Sequence, residues 1–232
     1  MIKFCRFDLR TTDAGGARDF YARILGHGRS VIWPLHEQAL ARGARPHWLG
    51  TLGVEDAERQ VTAFVARGAT RLGPTPPTSD GGQGVILRDP GGALLAIAPR
   101  PGRNTETGVV WHVLNTNNAM QATTNYVEQF GWEPTDRIDL GAHGNFQQFA
   151  WHAGGESVGA IGDIAGRPGV HPHWLFFFEV DALDRSIAAV RAAGGSWVEP
   201  STLPNGQRVC VCHDPQGAEF ALREGRQASG NP

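Results

Sequence analysis

What most constrains this chain is that it repeats itself. Pro46-His47-Trp48-Leu49 returns as Pro172-His173-Trp174-Leu175, 126 residues later. The same offset carries Val54 onto Val180, Val61 onto Ile187, Phe64 onto Val190 and Gly68 onto Gly194. Asp89-Pro90-Gly91-Gly92 returns as Asp214-Pro215-Gln216-Gly217 at an offset of 125. Phe20-Tyr21 with Leu25-Gly26 returns as Asn125-Tyr126 with Phe130-Gly131 at an offset of 105. Four matched blocks in one order mean a duplicated architecture. The halves are 1–100 and 108–225, joined by a Pro/Gly-rich polar linker over 101–107 and followed by a disordered tail at 226–232. The offset grows from 105 to 126, so the first half lacks about 21 residues between Gly26 and Pro46 and is degenerate over 27–45.

Within each half the periodicities read as strand, helix, strands, and then the same again. In Phe4–Thr11, Phe7 and Leu9 alternate with Arg6, Asp8 and Arg10, a strand pattern. Asp13 stands at a helix N-cap; Ala17, Phe20, Tyr21, Ile24 and Leu25 follow helical spacing, and Gly26 stops the helix. His47–Val54 is a strand, Ala57 to Val65 a helix ended by Gly68, and Gly84–Arg88 and Ala93–Ala98 are strands across the Asp89-Pro90 turn. The second half is fuller, with strands near Trp132–Leu140, Asn145–His152 and Glu156–Asp163, where the first half holds only 29–33 and a helix-like Pro34–Arg42.

Composition limits the function. Hydrophobic residues at 41% with seven Trp supply a core, and 21 basic against 23 acidic side chains leave no excess of positive charge for nucleic acid. Charges among the first eight residues and the lack of an apolar run of about 18 residues predict a cytoplasmic protein without a membrane partner. Cys5, Cys210 and Cys212 make neither a disulfide framework nor a zinc spacing. No Gly-x-Ser-x-Gly and no phosphate-loop glycine pattern is present, which removes the commonest hydrolase and nucleotide-binding readings.

The ordered blocks resemble the vicinal oxygen chelate superfamily, which includes glyoxalases, extradiol dioxygenases and bleomycin-resistance proteins. The likeness is carried by Thr12-Asp13, Phe20-Tyr21 and Leu25-Gly26, by Val54-Glu55-Asp56 with Gly68, and by Asp89-Pro90 with Gly92. Tyr126, Phe130-Gly131, Val180-Asp181, Gly194-Gly195, Asp214-Pro215 and Gly217 carry it in the second half. The resemblance implies an α+β fold of two tandem halves, each a pair of βαβββ units whose curved mixed sheets surround a cleft, the first half partly eroded.

The resemblance also implies a divalent metal held by His and Glu, and the residues argue against it. The positions carried over fall on Arg6, Leu49 and Ala96 in the first half and on Trp111, Leu175 and Ala221 in the second. The fourth ligand strand has no first-half counterpart and reads Ser157-Val158-Gly159-Ala160-Ile161 in the second. Leu, Ala and Trp do not ligate such cations. The expectation is therefore no metal and no other cofactor. Trp111 and Phe177 alternate toward the cleft, where flat apolar side chains stack on a ligand. His173 and Glu219 add a titratable ring and an acceptor; Asp8 and His47 are the corresponding contacts of the first half. Trp48, Trp174, Phe176 and Phe178 alternate toward the helices, and His112 is a hydrogen-bonded core residue. Asp8 is either part of a salt-linked solvated face with Arg6 and Arg10 or a polar anchor in the cleft. His36, His143, His152 and His213 carry no paired spacing. The expected function is binding of a small, partly apolar organic molecule without a metal. The alternative is a lyase, isomerase or dioxygenase of the same superfamily, using a displaced metal site or His173 and Glu219 as an acid–base pair.

Overall fold

A computed structural model describes residues 1–26, 31–77, 82–101, 108–141 and 144–225. Most of the expected linker, the expected tail and His143 lie outside the described residues.

The elements fall into four modules. The first is β1 (Lys3–Thr11), α1 (Ala14–Leu25), β2 (Val31–Pro34) and the short α2 (Glu37–Ala41). The second is β3 (His47–Val54), α3 (Ala57–Ala66), β4 (Thr70–Pro74), β5 (Val85–Arg88) and β6 (Leu94–Pro99). The third is β7 (Val109–Thr116), α4 (Ala119–Phe130), β8 (Glu133–Asp139), β9 (Asn145–Ala150) and β10 (Gly159–Asp163). The fourth is β11 (His173–Val180), α5 (Leu183–Ala192), β12 (Ser196–Trp197), β13 (Ser201–Thr202), β14 (Arg208–His213) and β15 (Glu219–Glu224).

Each module closes in one way: its first strand pairs in parallel with its last, β1 with β2, β3 with β6, β7 with β10 and β11 with β15. A parallel return needs a crossover, and the helix supplies it. Two mixed sheets result. The six-stranded one runs β2-β1-β3-β6-β5-β4, and the nine-stranded one runs β12-β14-β15-β11-β7-β10-β9-β8 with β13 against β14. All strands of the first sheet come from the first half of the sequence and all of the second from the second half. The fold is α+β, as the repeats predict.

The helix starts follow local chemistry. Asp13, Asp56 and Asn118 each accept a backbone N–H three residues on, at 2.9, 3.0 and 3.0 Å. Ala182 has no side chain to do this for α5, and Glu224 Oε1 accepts from Leu183 N at 2.9 Å instead. The Asp-Pro turns close on Gly92 and Gly217, at φ 103° and 93°, which glycine adopts without strain.

Strand β4 is not among the strands expected from the sequence. Its residues do not alternate, and it lies at a sheet edge with a bulge between Arg71 and Gly73, so pairing with β5 forms it rather than its own pattern. The last strand of the third module begins at Gly159, not Glu156. Ser157 instead bonds Thr135 through its hydroxyl at 2.7 Å, ahead of the strand.

The chain forms two compact units, and each joins modules from different halves. One contains α3, β4 to β6, α4 and β8 to β10. Its helices α3 and α4 meet through reciprocal bonds, Gln60 Nε2 to Gln129 O at 2.6 Å and Gln129 Nε2 to Gln60 O at 2.9 Å. Beneath them Trp132 stacks on Phe149 with centroids 4.6 Å apart. The other unit contains α1, β2, α2, α5 and β12 to β15, with α1 packed on α5.

The repeated residues meet inside these units. In the first, Trp174 Nε1 donates to Tyr126 Oη at 3.1 Å and Tyr126 Oη donates to Asp89 Oδ2 at 3.0 Å. In the second, Trp48 Nε1 donates to Tyr21 Oη at 3.1 Å and Tyr21 donates to Asp214 Oδ2 at 3.2 Å. The other carboxylate oxygens accept from Ala93 N and Ala218 N, both at 2.8 Å. Burial pushes both phenols well above their usual range and raises both carboxyls. Tyr126→Phe orphans the Trp174 N–H and removes a donor from Asp89. It should lower unfolding free energy by about 2 kcal/mol in urea titration, and Tyr21→Phe should do the same in the other unit. A loss below about 0.5 kcal/mol would mean the chain is ornamental.

Candidate functional site

The candidates of the second unit lie at the ends of strands. Glu219 opens β15, paired with His213 of β14. The register Phe177↔Ala221 between β11 and β15 sets Glu219 beside Leu175, on the face that carries Phe177. Phe177 is buried, while Trp111 and Glu219 are half-buried. On β1, Asp8 is 0% exposed, with the Arg10 guanidinium 3.7 Å from its carboxylate. The solvated-face reading of Asp8 is thereby corrected: the carboxylate and Arg10 are both buried, as a salt-linked pair. A buried carboxylate is tolerable beside its counter-charge.

His47 opens β3, and its Nδ1 lies 2.7 Å from the Arg45 carbonyl. A carbonyl only accepts, so Nδ1 carries the hydrogen and, in the neutral ring, Nε2 carries the lone pair. His173, its repeat partner, has its Nδ1 2.7 Å from the His171 carbonyl. The duplication thus copies a tautomer as well as a residue.

Around His173 the first unit adds two residues that the sequence reading passed over. Asn115 Nδ2 reaches His173 Nε2 at 3.4 Å, and the His171 ring stacks on His173 with centroids 4.6 Å apart. Asn115 is 4% exposed and its Oδ1 has no hydrogen-bond partner. Spacing was the available signal: Asn115 follows Trp111 and Val113 along one strand face, and His171 precedes His173 by two.

The residues expected to be structural are so. Trp48 and Phe178 pack at 5.0 Å next to Tyr21, Trp174 bonds Tyr126, and Phe176 is buried. His36 serves as the N-cap of α2 through Nδ1, a role its isolated spacing did not reveal. His112 lies between Phe4, stacked at 5.4 Å, and Trp151, edge-on at 5.0 Å, and its Nδ1 bonds the Val158 carbonyl at 2.8 Å.

Residues 108–222 match the family model of the Glyoxalase/Bleomycin resistance protein/Dioxygenase superfamily. Those residues belong to that superfamily. It is 29% identical over 243 residues to the putative glyoxylase CFP32 of Mycobacterium bovis, covering 93% of this chain and 92% of that protein. Its fold is that of the 2,3-dioxygenase LapB from Pseudomonas sp. KL28, at TM-score 0.63 and 13% identity over 99% of this chain and 95% of that one. It is also that of the Mn(II)-bound glyoxalase from Novosphingobium aromaticivorans, at TM-score 0.61 and 13% identity over 96% and 81%.

The metal that the superfamily fold implies does not fit the positions it would inherit. Leu49, Ala96 and Ala221 are fully buried, Leu175 is nearly so, and none offers a donor atom. Arg6 and Trp111 at the first-strand positions are no better ligands.

His112 supplies a test of the surrounding packing. Burial lowers its pKa to about 4 from the ordinary 6.5. The unfolded chain takes up the proton first, so the native state loses stability as pH falls through 6.5 and the full loss is reached near pH 4. This is about 3 kcal/mol at 1.36 kcal/mol per pKa unit. Comparing urea titrations at pH 7 and pH 4.5, His112→Phe should lose clearly less stability than the unmodified chain. Equal losses would place the acid sensitivity elsewhere.

Proposed function

We propose that this superfamily member binds a small, partly apolar organic molecule without using a metal. The observation that carries the reading is the occupation of the inherited ligand positions by the buried side chains Leu49, Ala96, Leu175 and Ala221. Where a metal would have held a substrate, the strands carry packed apolar side chains in place of donors. Phe177 and Trp111 supply flat faces for stacking, and Glu219 an acceptor beside them. His173, with its lone pair fixed on Nε2, supplies a polar contact, and Asp8 and His47 are its first-half counterparts. The origin of each sheet in one half of the sequence supports treating 1–100 and 108–225 as two glyoxalase-like domains. Balanced charge supports a small molecule rather than nucleic acid as partner. No helix among the described residues is long and apolar enough to cross a membrane.

One observation favours a second reading, that of a lyase, isomerase or dioxygenase with a displaced metal or an acid–base pair of His173 and Glu219. The ligand-capable nitrogens of His171 and His173 lie within 4.8 Å of one another. A backbone carbonyl on Nδ1 is also the usual support of a metal-binding imidazole.

A thermal-shift screen of small metabolites and drugs, run with and without divalent ions, separates the two. Binding predicts a ligand that raises Tm without metal, returns chemically unchanged, and loses most of its effect in Trp111→Ala or Phe177→Ala. About one metal per chain by elemental analysis, lost in His173→Ala, would establish the second reading. So would product formation that stops in Glu219→Gln.

A further inference from the structure

The binding reading leaves one pair of reactive groups unused. Cys210 and Cys212 alternate onto the same face of β14, and their sulfurs are 3.8 Å apart as free thiols. They are 2% and 0% exposed. In register, Cys212 stands between Trp197 of β12 and Phe220 of β15, and Cys210 beside Leu222. The neighbouring side chains are therefore largely apolar. The polar contacts are backbone carbonyls, Cys210 Sγ to Val198 O at 3.3 Å and to Val211 O at 3.6 Å and Cys212 Sγ to Cys210 O at 3.9 Å, with the Glu199 carboxylate near enough to act on Cys210 electrostatically.

We propose that Cys210 and Cys212 form a two-coordinate site for a thiophilic monovalent d10 metal ion, Cu(I) or Ag(I). Two thiolates are the soft donors such ions select. Metal–sulfur bonds of about 2.3 Å span about 4.6 Å when collinear. The 3.8 Å pair therefore opens by less than about 1 Å, within reach of small χ1 rotations. Among the described residues, no third His, Cys or carboxylate clusters with the pair, so the tetrahedral set that zinc requires is missing. Burial in an apolar layer suits a weakly hydrated ion and keeps competing water out. Binding transfers no electrons: each thiol gives up its proton to solvent as its sulfur binds the ion. The S–H that Cys212 donates holds the Cys210 thiol below its usual range and, with burial, its own thiol well above it, so Cys210 is the first of the two to give up its proton.

Access is local. The site lies on β14 beside its edge partners β12 and β13, strands of two residues each, with Trp197 37% and Val198 53% exposed. So short an edge opens without unfolding the unit.

The test uses the full-length chain under anaerobic conditions. Cu(I) is added as its acetonitrile complex and challenged with a colorimetric Cu(I) chelator. The expected result is about one Cu(I) retained per chain, with affinity falling at least 100-fold in Cys210→Ser and in Cys212→Ser and unchanged in Cys5→Ser. X-ray absorption should find two sulfur neighbours. Cys210→Ala and Cys212→Ala replace the serine variants if a buried hydroxyl prevents folding, judged by thermal melts of the metal-free proteins. Retention that survives loss of either cysteine would overturn the site. So would retention that depends on Cys5 or His173, or Zn(II) held as tightly as Cu(I).

Discussion

Each compact unit is organised around a buried phenol that accepts from an indole and donates to a carboxylate. Tyr126 links Trp174 to Asp89, and Tyr21 links Trp48 to Asp214. The arrangement sets conditions on three separate segments at once. The helix must present its tyrosine inward, the strand after the Pro-His pair must present its tryptophan to the same layer, and the Asp-Pro turn must close tightly enough to aim its carboxylate. Leaving any partner alone in that layer would cost a desolvated polar group. Because the tyrosine and tryptophan come from one half and the aspartate from the other, the chain also ties the two halves together within each unit.

The modules place their faces by a second constraint, the parallel return of the last strand beside the first. That pairing fixes which residues of β11 and β15 share a surface, and so sets Glu219 in the row with Leu175 and Phe177. In relatives that use a metal, such a row is where donors would be expected. Here it holds Leu175 and Ala221, with polar groups left at the strand ends. His47 and His173 retain identical hydrogen bonds to the carbonyl two residues back, so the duplicated strands still present a fixed imidazole nitrogen although the apolar positions beside them cannot ligate.

Much of this is legible in the sequence. The offsets of 105 and 126 marked Tyr21 with Tyr126 and Trp48 with Trp174, and alternation assigned Trp48, Phe178 and His112 to the packed side of their strands. What stayed hidden was partnership. Nothing in the spacing of Asp89 said that its carboxylate would meet a tyrosine of the other half, 37 residues on. Asn115 looked like an ordinary strand residue because its partner, His173, is 58 residues away. Strand β4 was missed because an edge strand draws its conformation from a neighbour rather than from its own pattern.

The sequence by itself determined the number of modules, the helix start at Asp13, the α+β class and the absence of donors at the inherited metal positions. These follow from local or periodic chemistry: caps act within one turn, faces follow a period of two or 3.6, and a leucine cannot ligate wherever it is placed. Tertiary structure alone decided which modules share a compact unit, that Asp8 is buried with Arg10, and that Cys210 and Cys212 bring their sulfurs to 3.8 Å among apolar side chains. Those outcomes depend on burial and on contacts between distant segments, and the energy of a charge or a thiol is set by what surrounds it rather than by its neighbours in the chain.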